Sequence, residues 1–85
     1  MDTDSPLLDV GGALRHIREN KGISQGDIMR KTGIERSYIS RIERGEIRYP
    51  RLSTIKKIAM ALDVSVDELV HVACHLVCNV KHEKV

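Results

Sequence analysis

The 85-residue chain is long enough for one small domain with a modest core. It contains no Trp and no Phe, so its core has to be built from aliphatic side chains, which suits a small helical bundle. The net charge of +2 hides an asymmetry, because residues 15–57 carry twelve basic and five acidic residues whereas both flanking segments are net acidic. A basic middle is typical of one surface that faces nucleic-acid phosphates, although a solvated helical surface gives the same balance.

Several classes of protein are excluded by what the sequence lacks. No apolar run approaches the roughly 18 residues of a membrane span, and the acidic N-terminus does not resemble a secretory signal. Cys74 and Cys78 are too close together for a bridge to stabilise much, so we predict reduced thiols. There is no phosphate loop, no nucleophile–histidine–acid set and little room for a substrate pocket. We therefore predict a cytoplasmic protein that is not an enzyme and needs no cofactor.

The N-terminal part of the chain predicts an arm followed by a first helix. Residues 1–9 form the arm. Ser5 and Pro6 resemble the start of a helix, but Gly11 and Gly12 would interrupt any helix begun there. The first helix is expected over residues 12–20, with Gly22 behind its C-terminal end. Its apolar positions recur at helical spacing: Val10, Leu14 and Ile17.

Two further helices are predicted on either side of a glycine turn. Ser24 and Asp27 form a capping-box pattern at the start of the second helix. Gly33 ends that helix, because glycine adopts the left-handed conformation of a C-cap at little cost. The third helix covers about residues 35–44, and Gly45 ends it. The predicted inward-facing residues are Ile28, Met29 and Thr32 in the second helix and Ile34, Ile39 and Ile42 at the third.

A connection and two more helices complete the predicted domain. Pro50 disfavours helix at the residue before it, so residues 46–50 are a connection. Ser65 and Glu68 form a second capping-box pattern, which opens a fifth helix. Between the connection and that box, a fourth helix is predicted from its apolar positions: Leu52, Ile55, Ile58, Ala59 and Leu62.

Two helices joined by a short turn that contains Gly33 make a helix-turn-helix, in which the first helix braces the second for entry into a DNA major groove. The segments LRHIRENKGISQGDIMRKTGIERSYISRIERG and YPRLSTIKKIAMALDVSVDEL, with their spacing, resemble the Cro/repressor-type (XRE-like) helix-turn-helix family. The piece SYIS-x-IERG is especially similar to small bacterial or phage repressors and restriction–modification controller proteins. The resemblance covers about residues 12–70. It implies an all-α, compact five-helix bundle of the lambda-repressor-like type, with residues 10–70 as the DNA-binding domain and residues 71–85 as a C-terminal extension.

The resemblance implies which residues of the third helix face base edges. Arg36 and Ser37 lie in its first turn, and Arg41 lies about one turn further along. An arginine fork can engage guanine O6 and N7 together, which discriminates against a wrong base by about 1–3 kcal/mol. Glu35 stands where the family usually has Ser or Thr, and its carboxylate can accept a hydrogen bond from cytosine N4. The predicted base-reading residues are therefore Glu35, Arg36, Ser37 and Arg41.

Other positions are implied to hold the sugar–phosphate backbone or to support the third helix. Backbone contacts fix the register of a protein on DNA without reading its sequence. Arg18 and Glu43 match a pair that in this family forms a partly buried salt bridge between the first and third helices. Lys56 and Lys57 we interpret as plain solvent-facing lysines. The predicted phosphate-contacting residues are Ser24, Gln25, Tyr38, Arg44, Arg48, Tyr49 and Arg51.

The tail beyond residue 70 lies outside the family's common core and allows two conformations. Its valines favour a strand, whereas the absence of a turn signal before Asn79 favours a continued helix, which we predict. As a helix it carries an apolar stripe that one small domain would leave exposed, so we predict a homodimer interface there. The predicted dimerisation residues are Leu69, Ala73, Leu76, Val77 and Val80.

The same tail carries side chains of the types that ligate metals. One straight helix cannot wrap four ligands around a tetrahedral ion, so a site would need two chains. Small apolar cysteines and surface histidines are commoner than such a site, and we predict no metal. The residues concerned are His71, Cys74, His75 and Cys78 on one helical face, followed by His82.

Together these observations predict a dimeric, sequence-specific DNA-binding regulator of bacterial, phage or plasmid origin, associated with the nucleoid when bound. Its predicted partner is double-stranded DNA, read as a palindromic operator, with repression or autoregulation favoured over activation. No membrane is involved. The main alternative is an antitoxin or other interaction module that uses the tail to bind a protein partner. A further alternative is a regulator gated by metal or by thiol oxidation.

Overall fold

The structure, a computed structural model, describes residues 8–83, and it describes side chains as far as residue 77. Within that part of the chain there are five helices and no strand, which confirms the predicted all-α fold. No described helix is both long and apolar enough to cross a membrane. The predicted arm lies outside the described residues except for Leu8 and Asp9. The helices are α1 (Val10–Asn20), α2 (Gln25–Thr32), α3 (Arg36–Glu43), α4 (Leu52–Ala61) and α5 (Val66–Glu83).

Gly11 and Gly12 lie inside α1, which begins at Val10, two residues before the predicted start. The first helix is therefore longer at its start than predicted and includes both glycines. Asp9 caps α1, because its Oδ1 accepts a hydrogen bond from the Gly12 amide at 2.9 Å. Gly11 faces α3 so closely that a Cβ atom there would collide with the carbonyl oxygen of Ile42. The missing side chain thus lets the α1 backbone pack directly against α3.

The start of α2 has the predicted capping box. The Ser24 hydroxyl oxygen accepts a hydrogen bond from the Asp27 amide at 3.0 Å, and Asp27 Oδ2 accepts one from the Ser24 amide at 3.0 Å. Gly33 ends α2 with a φ of 79°, in the left-handed conformation that glycine favours. Ile28 is buried as predicted, but the prediction that Met29 faces inward is wrong, since that side chain is 39% exposed.

The five helices close a ring around one core, in the order α1, α3, α2, α4, α5 and back to α1. Burying one aliphatic side chain of this size contributes about 1.5–3 kcal/mol. Leu52, predicted as an apolar position of α4, is the first residue of that helix and is instead 71% exposed. The largest fully buried side chains are Leu14, Ile28, Ile39, Ile42 and Leu62.

The tail is helical, because α5 continues without a break from Val66 to Glu83. The proposed domain boundary between residues 70 and 71 falls inside this helix. The assignment of Leu69 and Ala73 to a dimer interface has to be corrected, because both are buried in the chain's own core at 2% and 1% exposure. The apolar stripe of α5 is there covered by the other helices. Leu76 and Val77 are half-buried, and the side chain of Val80 lies outside the described part.

Candidate nucleic-acid interface

The candidate interface is centred on α3, which has two different faces. Ile39 and Ile42 are fully buried and dock the helix on the core. Ser37, Arg41 and Arg44 recur at spacings of four and three residues, so they lie along one exposed line on the opposite side. The buried isoleucines therefore hold the helix on the core, and its exposed polar side chains are accessible to a ligand. We call Ser37, Arg41 and Arg44 the outer line of α3.

The other two predicted base-reading residues lie at the N-terminal end of this helix. Glu35 is the N-cap of α3 and has extended backbone, but its carboxylate makes no capping hydrogen bond. Arg36 is the first helical residue, and it lies about 100° round the helix from Ser37. All four predicted base-reading residues, from Glu35 to Arg41, are exposed.

The predicted ion pair between Arg18 and Glu43 lies beneath the inner face of α3. Arg18 Nε donates to Glu43 Oε2 at 2.7 Å and Nη2 donates to Oε1 at 3.1 Å, a two-point contact between α1 and α3. Arg18 Nη1 also donates to the carbonyl oxygen of Ile23 at 3.0 Å. The side chains of Arg18 and Glu43 are only 14% and 6% exposed. The hydrogen bond to Glu43 raises the pKa of the Arg18 guanidinium, so Arg18 keeps its positive charge.

Gln25 adds α2 to the same group of contacts. Its Nε2 donates to Glu43 Oε1 at 3.0 Å, so one carboxylate ties α1, α2 and α3 together. Through this hydrogen bond Gln25 supports α3 from the side of α2. Its side chain also lines an open cleft of about 260 Å³, together with Arg15, Ser40 and Arg44. Arg18, Glu19 and Glu43 line it as well, so two carboxylates stand beside the arginine, amide and hydroxyl donors that a phosphate group could use.

Arg15 is a candidate phosphate contact that the sequence analysis missed. It lies on α1, one turn before Arg18, and it pairs with Glu19 at 3.0 Å across the exposed helix surface. An arginine–glutamate pair at this spacing is what any solvated helix shows, so the sequence contained no distinguishing signal. Only the fold places Arg15 in the cleft that Gln25 and Arg44 also line.

The remaining predicted phosphate-contacting residues differ in how much contact they already make within the protein. Ser24 uses its hydroxyl group both to cap α2 and to bond the Asp27 carboxylate, so it is already engaged within the protein. Tyr38 is partly buried and packs against the core. Arg48, Tyr49 and Arg51 are exposed in the connection between α3 and α4. They extend the basic surface past the C-terminal end of α3.

Glu46, which was not predicted as part of this surface, lies beside the outer line at the C-terminal end of α3. Gly45 has a φ of 84°, and its amide donates to the Ile42 carbonyl at 3.1 Å. The next amide, that of Glu46, donates back to the Arg41 carbonyl at 2.9 Å. These two bonds form a Schellman motif, which folds the chain back over the last turn of the helix. The Glu46 carboxylate consequently lies 2.9 Å from Arg44 Nη2 and 3.5 Å from Arg41 Nε.

The histidines of α5 do not gather a metal site among the described residues. His71 and His75 stack with ring centroids 6.3 Å apart, one helical turn from each other. Cys74 lies between them in sequence and is exposed. In the part of the chain that the structure describes, no group of three or more histidine, cysteine, aspartate or glutamate side chains could hold a metal ion.

A family model described as helix-turn-helix matches residues 14–69, from α1 into the first turn of α5. The chain belongs to this helix-turn-helix family. The resemblance to Cro/repressor-type proteins drawn from the sequence is thereby confirmed. In the helix-turn-helix of this chain, α2 is the bracing helix and α3 is the recognition helix.

Relatives of this helix-turn-helix protein include transcription regulators and controller proteins. The HTH-type transcriptional regulator SinR of Bacillus subtilis (strain 168) is 32% identical over 74 residues, which cover 87% of this chain and 60% of SinR. The chain thus spans less than two thirds of that relative's length. The crystal structure of the restriction-modification controller protein C.AhdI from Aeromonas hydrophila is similar with a TM-score of 0.67 and 41% identity, covering 74% of this chain and 94% of that one. The controller protein C.Esp1396I, solved as a tetramer with its natural 35 base-pair operator, is similar with a TM-score of 0.74 and 29% identity, covering 85% of this chain and 93% of that one.

Proposed function

We propose that this helix-turn-helix protein is a sequence-specific DNA-binding regulator of transcription, which places α3 in the major groove of its operator. The observation that carries the proposal is the outer line of α3, exposed on a helix whose other face is locked by Ile39, Ile42 and the Arg18–Glu43 pair. Two similar proteins support it, because SinR is named a transcriptional regulator and C.Esp1396I is solved on its operator.

Base reading is assigned to Glu35, Arg36, Ser37 and Arg41. The major groove presents a distinct set of donors and acceptors for each base pair, and an α-helix fits its width. Arg36 and Arg41 each offer a planar fork for guanine, and Glu35 offers an acceptor for cytosine N4. Because the Glu35 carboxylate makes no cap bond, it is available for that contact.

Grip on the sugar–phosphate backbone is assigned to the residues that surround α3. The cleft lined by Arg15, Gln25 and Arg44 lies beside the recognition helix, and Arg48 with Arg51 continues the basic surface past the C-terminal end of that helix. The hydroxyl groups of Ser24, Tyr38 and Tyr49 add neutral donors. These contacts release counterions, so binding weakens steeply as salt is raised.

A homodimer on a palindromic operator is part of the proposal. Two copies place two recognition helices one helical turn apart, which matches two half-sites. With Leu69 and Ala73 assigned to the core, the surface left for the second copy includes Val70, which is 39% exposed, and Met60, which is 70% exposed. Occupation of such an operator favours repression or autoregulation. A bacterial cytoplasm is the location that goes with this role.

Selection from a random duplex DNA library near physiological salt tests the proposal. The expected result is enrichment of a two-fold symmetric site with half-sites about one helical turn apart. On that site, Arg36→Ala and Arg41→Ala should each lose about tenfold or more of the discrimination at one base position. Lys57→Ala, in an exposed part of α4, is the matched control and should leave base preference unchanged.

The other outcomes redirect the proposal in different ways. Tight binding without any enriched sequence would support only unselective contacts with the DNA phosphates. Arg36 and Arg41 would then no longer be candidates for base reading. Absence of DNA binding would contradict the proposal, and a protein partner of the C-terminal tail would then be the function to test.

A further inference from the structure

Glu46 is a carboxylate on a surface that is otherwise built to attract phosphates, and the backbone fixes its place there. The left-handed Gly45 and the return bond from the Glu46 amide to the Arg41 carbonyl hold residue 46 over the last turn of α3. A side chain at this position therefore faces the C-terminal half of the outer line, whichever rotamer the arginines adopt. Phosphate repulsion alone would disfavour an acid at such a position.

The two arginines meet Glu46 in different ways. Arg44 is engaged on every nitrogen, because Nε and Nη2 approach Glu46 Oε2 at 3.0 and 2.9 Å while Nη1 donates to the Ser40 hydroxyl at 2.7 Å. Arg41 makes its nearest approach to Glu46 between Nε and Oε1, at 3.5 Å, which is longer than either contact of Arg44. The edge formed by the two terminal nitrogens of Arg41 is the edge that pairs with guanine O6 and N7.

We propose that Glu46 is a positioning residue that sets the DNA specificity of this protein, by holding Arg41 from its Nε side and by restraining Arg44 from unselective phosphate contacts. The inference rests on the proposed DNA-binding function. On an operator, the Glu46–Arg41 contact persists and keeps the terminal nitrogens of Arg41 aimed at the base. On random DNA, the phosphates have to compete with Glu46 for both guanidinium groups.

The expected consequence is a difference between specific and random binding. Removing the negative charge frees two arginines to swing onto any phosphate, which strengthens binding to all sequences. The same change removes the restraint on Arg41, and ordering its side chain against a base then costs conformational entropy. Random-sequence binding therefore gains more than operator binding, and the ratio between them falls.

The test compares Glu46→Gln with the wild-type chain on the selected operator and on a random duplex, over a range of salt concentrations. Glu46→Gln should bind the random duplex about three- to tenfold more tightly, with a log–log salt slope steeper by about 0.9 for each additional phosphate contact. The ratio of operator to random affinity should fall about fivefold or more. Glu46→Asp, which keeps the charge, should restore most of that ratio.

The matched control is Glu68→Gln, which makes the same chemical change at an exposed glutamate in the first turn of α5. It separates the local effect from the change in net charge. Equal specificity ratios and salt slopes for Glu46→Gln and Glu68→Gln would overturn the inference while leaving the proposed function intact. Failure of the wild-type chain itself to select a sequence would overturn the proposed function, and this inference with it.

Discussion

On its inner face, α3 holds Glu43 against Arg18, and the two side chains are 6% and 14% exposed. On its outer face, Glu46 lies beside Arg41 and Arg44, and the three side chains are 50%, 54% and 57% exposed. The residue types are the same, and the Arg44–Glu46 distance of 2.9 Å is close to the 2.7 Å of the inner pair, yet the surroundings differ. Two charges attract each other several times more strongly when protein replaces most of the water around them. The inner pair is therefore part of the fold, whereas the outer contacts are weak enough to exchange with a ligand.

Because its two faces differ in this way, α3 is held rigidly on the core while its exposed arginines can bind a ligand. Glu43 accepts hydrogen bonds from α1 and α2 at once, so α3 cannot rotate without breaking both connections. Gly11 brings the α1 backbone against the Ile42 carbonyl on the same side. The outer line then offers its arginines from a fixed platform, which reduces the conformational entropy lost when DNA is bound.

The largest expected effect comes from removing the inner carboxylate. Glu43→Ala leaves the Arg18 guanidinium largely buried without its partner and also releases Gln25. We expect the free energy of unfolding to fall by about 3 kcal/mol, which is a large part of the 5–15 kcal/mol typical of a small domain. Urea unfolding followed by circular dichroism measures the change.

A double variant provides the control for that loss. Arg18→Met combined with Glu43→Leu replaces both charges by apolar side chains of similar size, so no charge is left buried alone. We expect the double variant to be more stable than Glu43→Ala. If Glu43→Ala instead unfolds at the wild-type urea concentration, the inner pair contributes no more than the exposed ones.

A smaller effect is expected from adding a methyl group where α1 meets α3. Gly11→Ala forces a Cβ against the Ile42 carbonyl oxygen, so the two helices have to move apart. We expect the free energy of unfolding to fall by about 1–3 kcal/mol, as for other overpacked sites.

Gly26→Ala is the matched control, since the nearest neighbour of its new Cβ atom would be Ser24 Oγ at an ordinary 3.7 Å. Because alanine favours helix over glycine, Gly26→Ala should stabilise the fold by about 0.5–1 kcal/mol. Equal thermal midpoints for the two variants would contradict close packing at Gly11.

Local signals made much of the inner face predictable from the sequence. The Ser24 and Asp27 capping box, the C-cap at Gly33 and the buried Ile39 all follow from short-range patterns that need no tertiary information. The pair between Arg18 and Glu43 is 25 residues apart in sequence, and only the family resemblance pointed to it. Periodicity alone does not tell which two polar residues will meet.

The remaining features depend on what lies opposite each residue. A glycine inside a helix is unfavourable by residue type alone, and the reason for Gly11 is evident only from the α3 backbone that packs against it. The apolar stripe containing Leu69 and Ala73 is visible in the sequence, but whether a second copy or the chain's own helices cover it is a tertiary fact. Glu46 was not predicted because its place depends on the left-handed turn at Gly45, one residue before it.

Protonation of Asp27 in the exposed capping box of α2 should lower the free energy of unfolding in acid. We expect this loss to be smaller than that caused by removing the Arg18–Glu43 pair. Hydrogen bonds from the Ser24 amide and hydroxyl lower the pKa of Asp27. Its stabilising contribution is therefore complete above the unfolded-state pKa of about 3.9 and is lost as the pH falls through the lower folded-state value. We expect the stability difference between wild type and Asp27→Asn to be constant from about pH 5 to pH 8 and to shrink below about pH 4. A difference that persists unchanged in strong acid, measured by urea unfolding at each pH, would rule out the cap as its source.

The smallest expected effect tests the outer face directly. Glu46→Gln removes a carboxylate whose contacts to Arg41 and Arg44 are half exposed, so it should change the free energy of unfolding by less than about 1 kcal/mol. That small change should fade further as salt is raised towards 1 M, because exposed charges are screened over about 3 Å at that ionic strength. The loss caused by Glu43→Ala should change much less with salt, since its partner is largely shielded from solvent. Parallel urea titrations of the two variants at low and high salt therefore separate the faces of α3. A Glu46→Gln loss as large and as salt-resistant as that of Glu43→Ala would mean that Glu46 holds the fold together rather than tuning its DNA contacts.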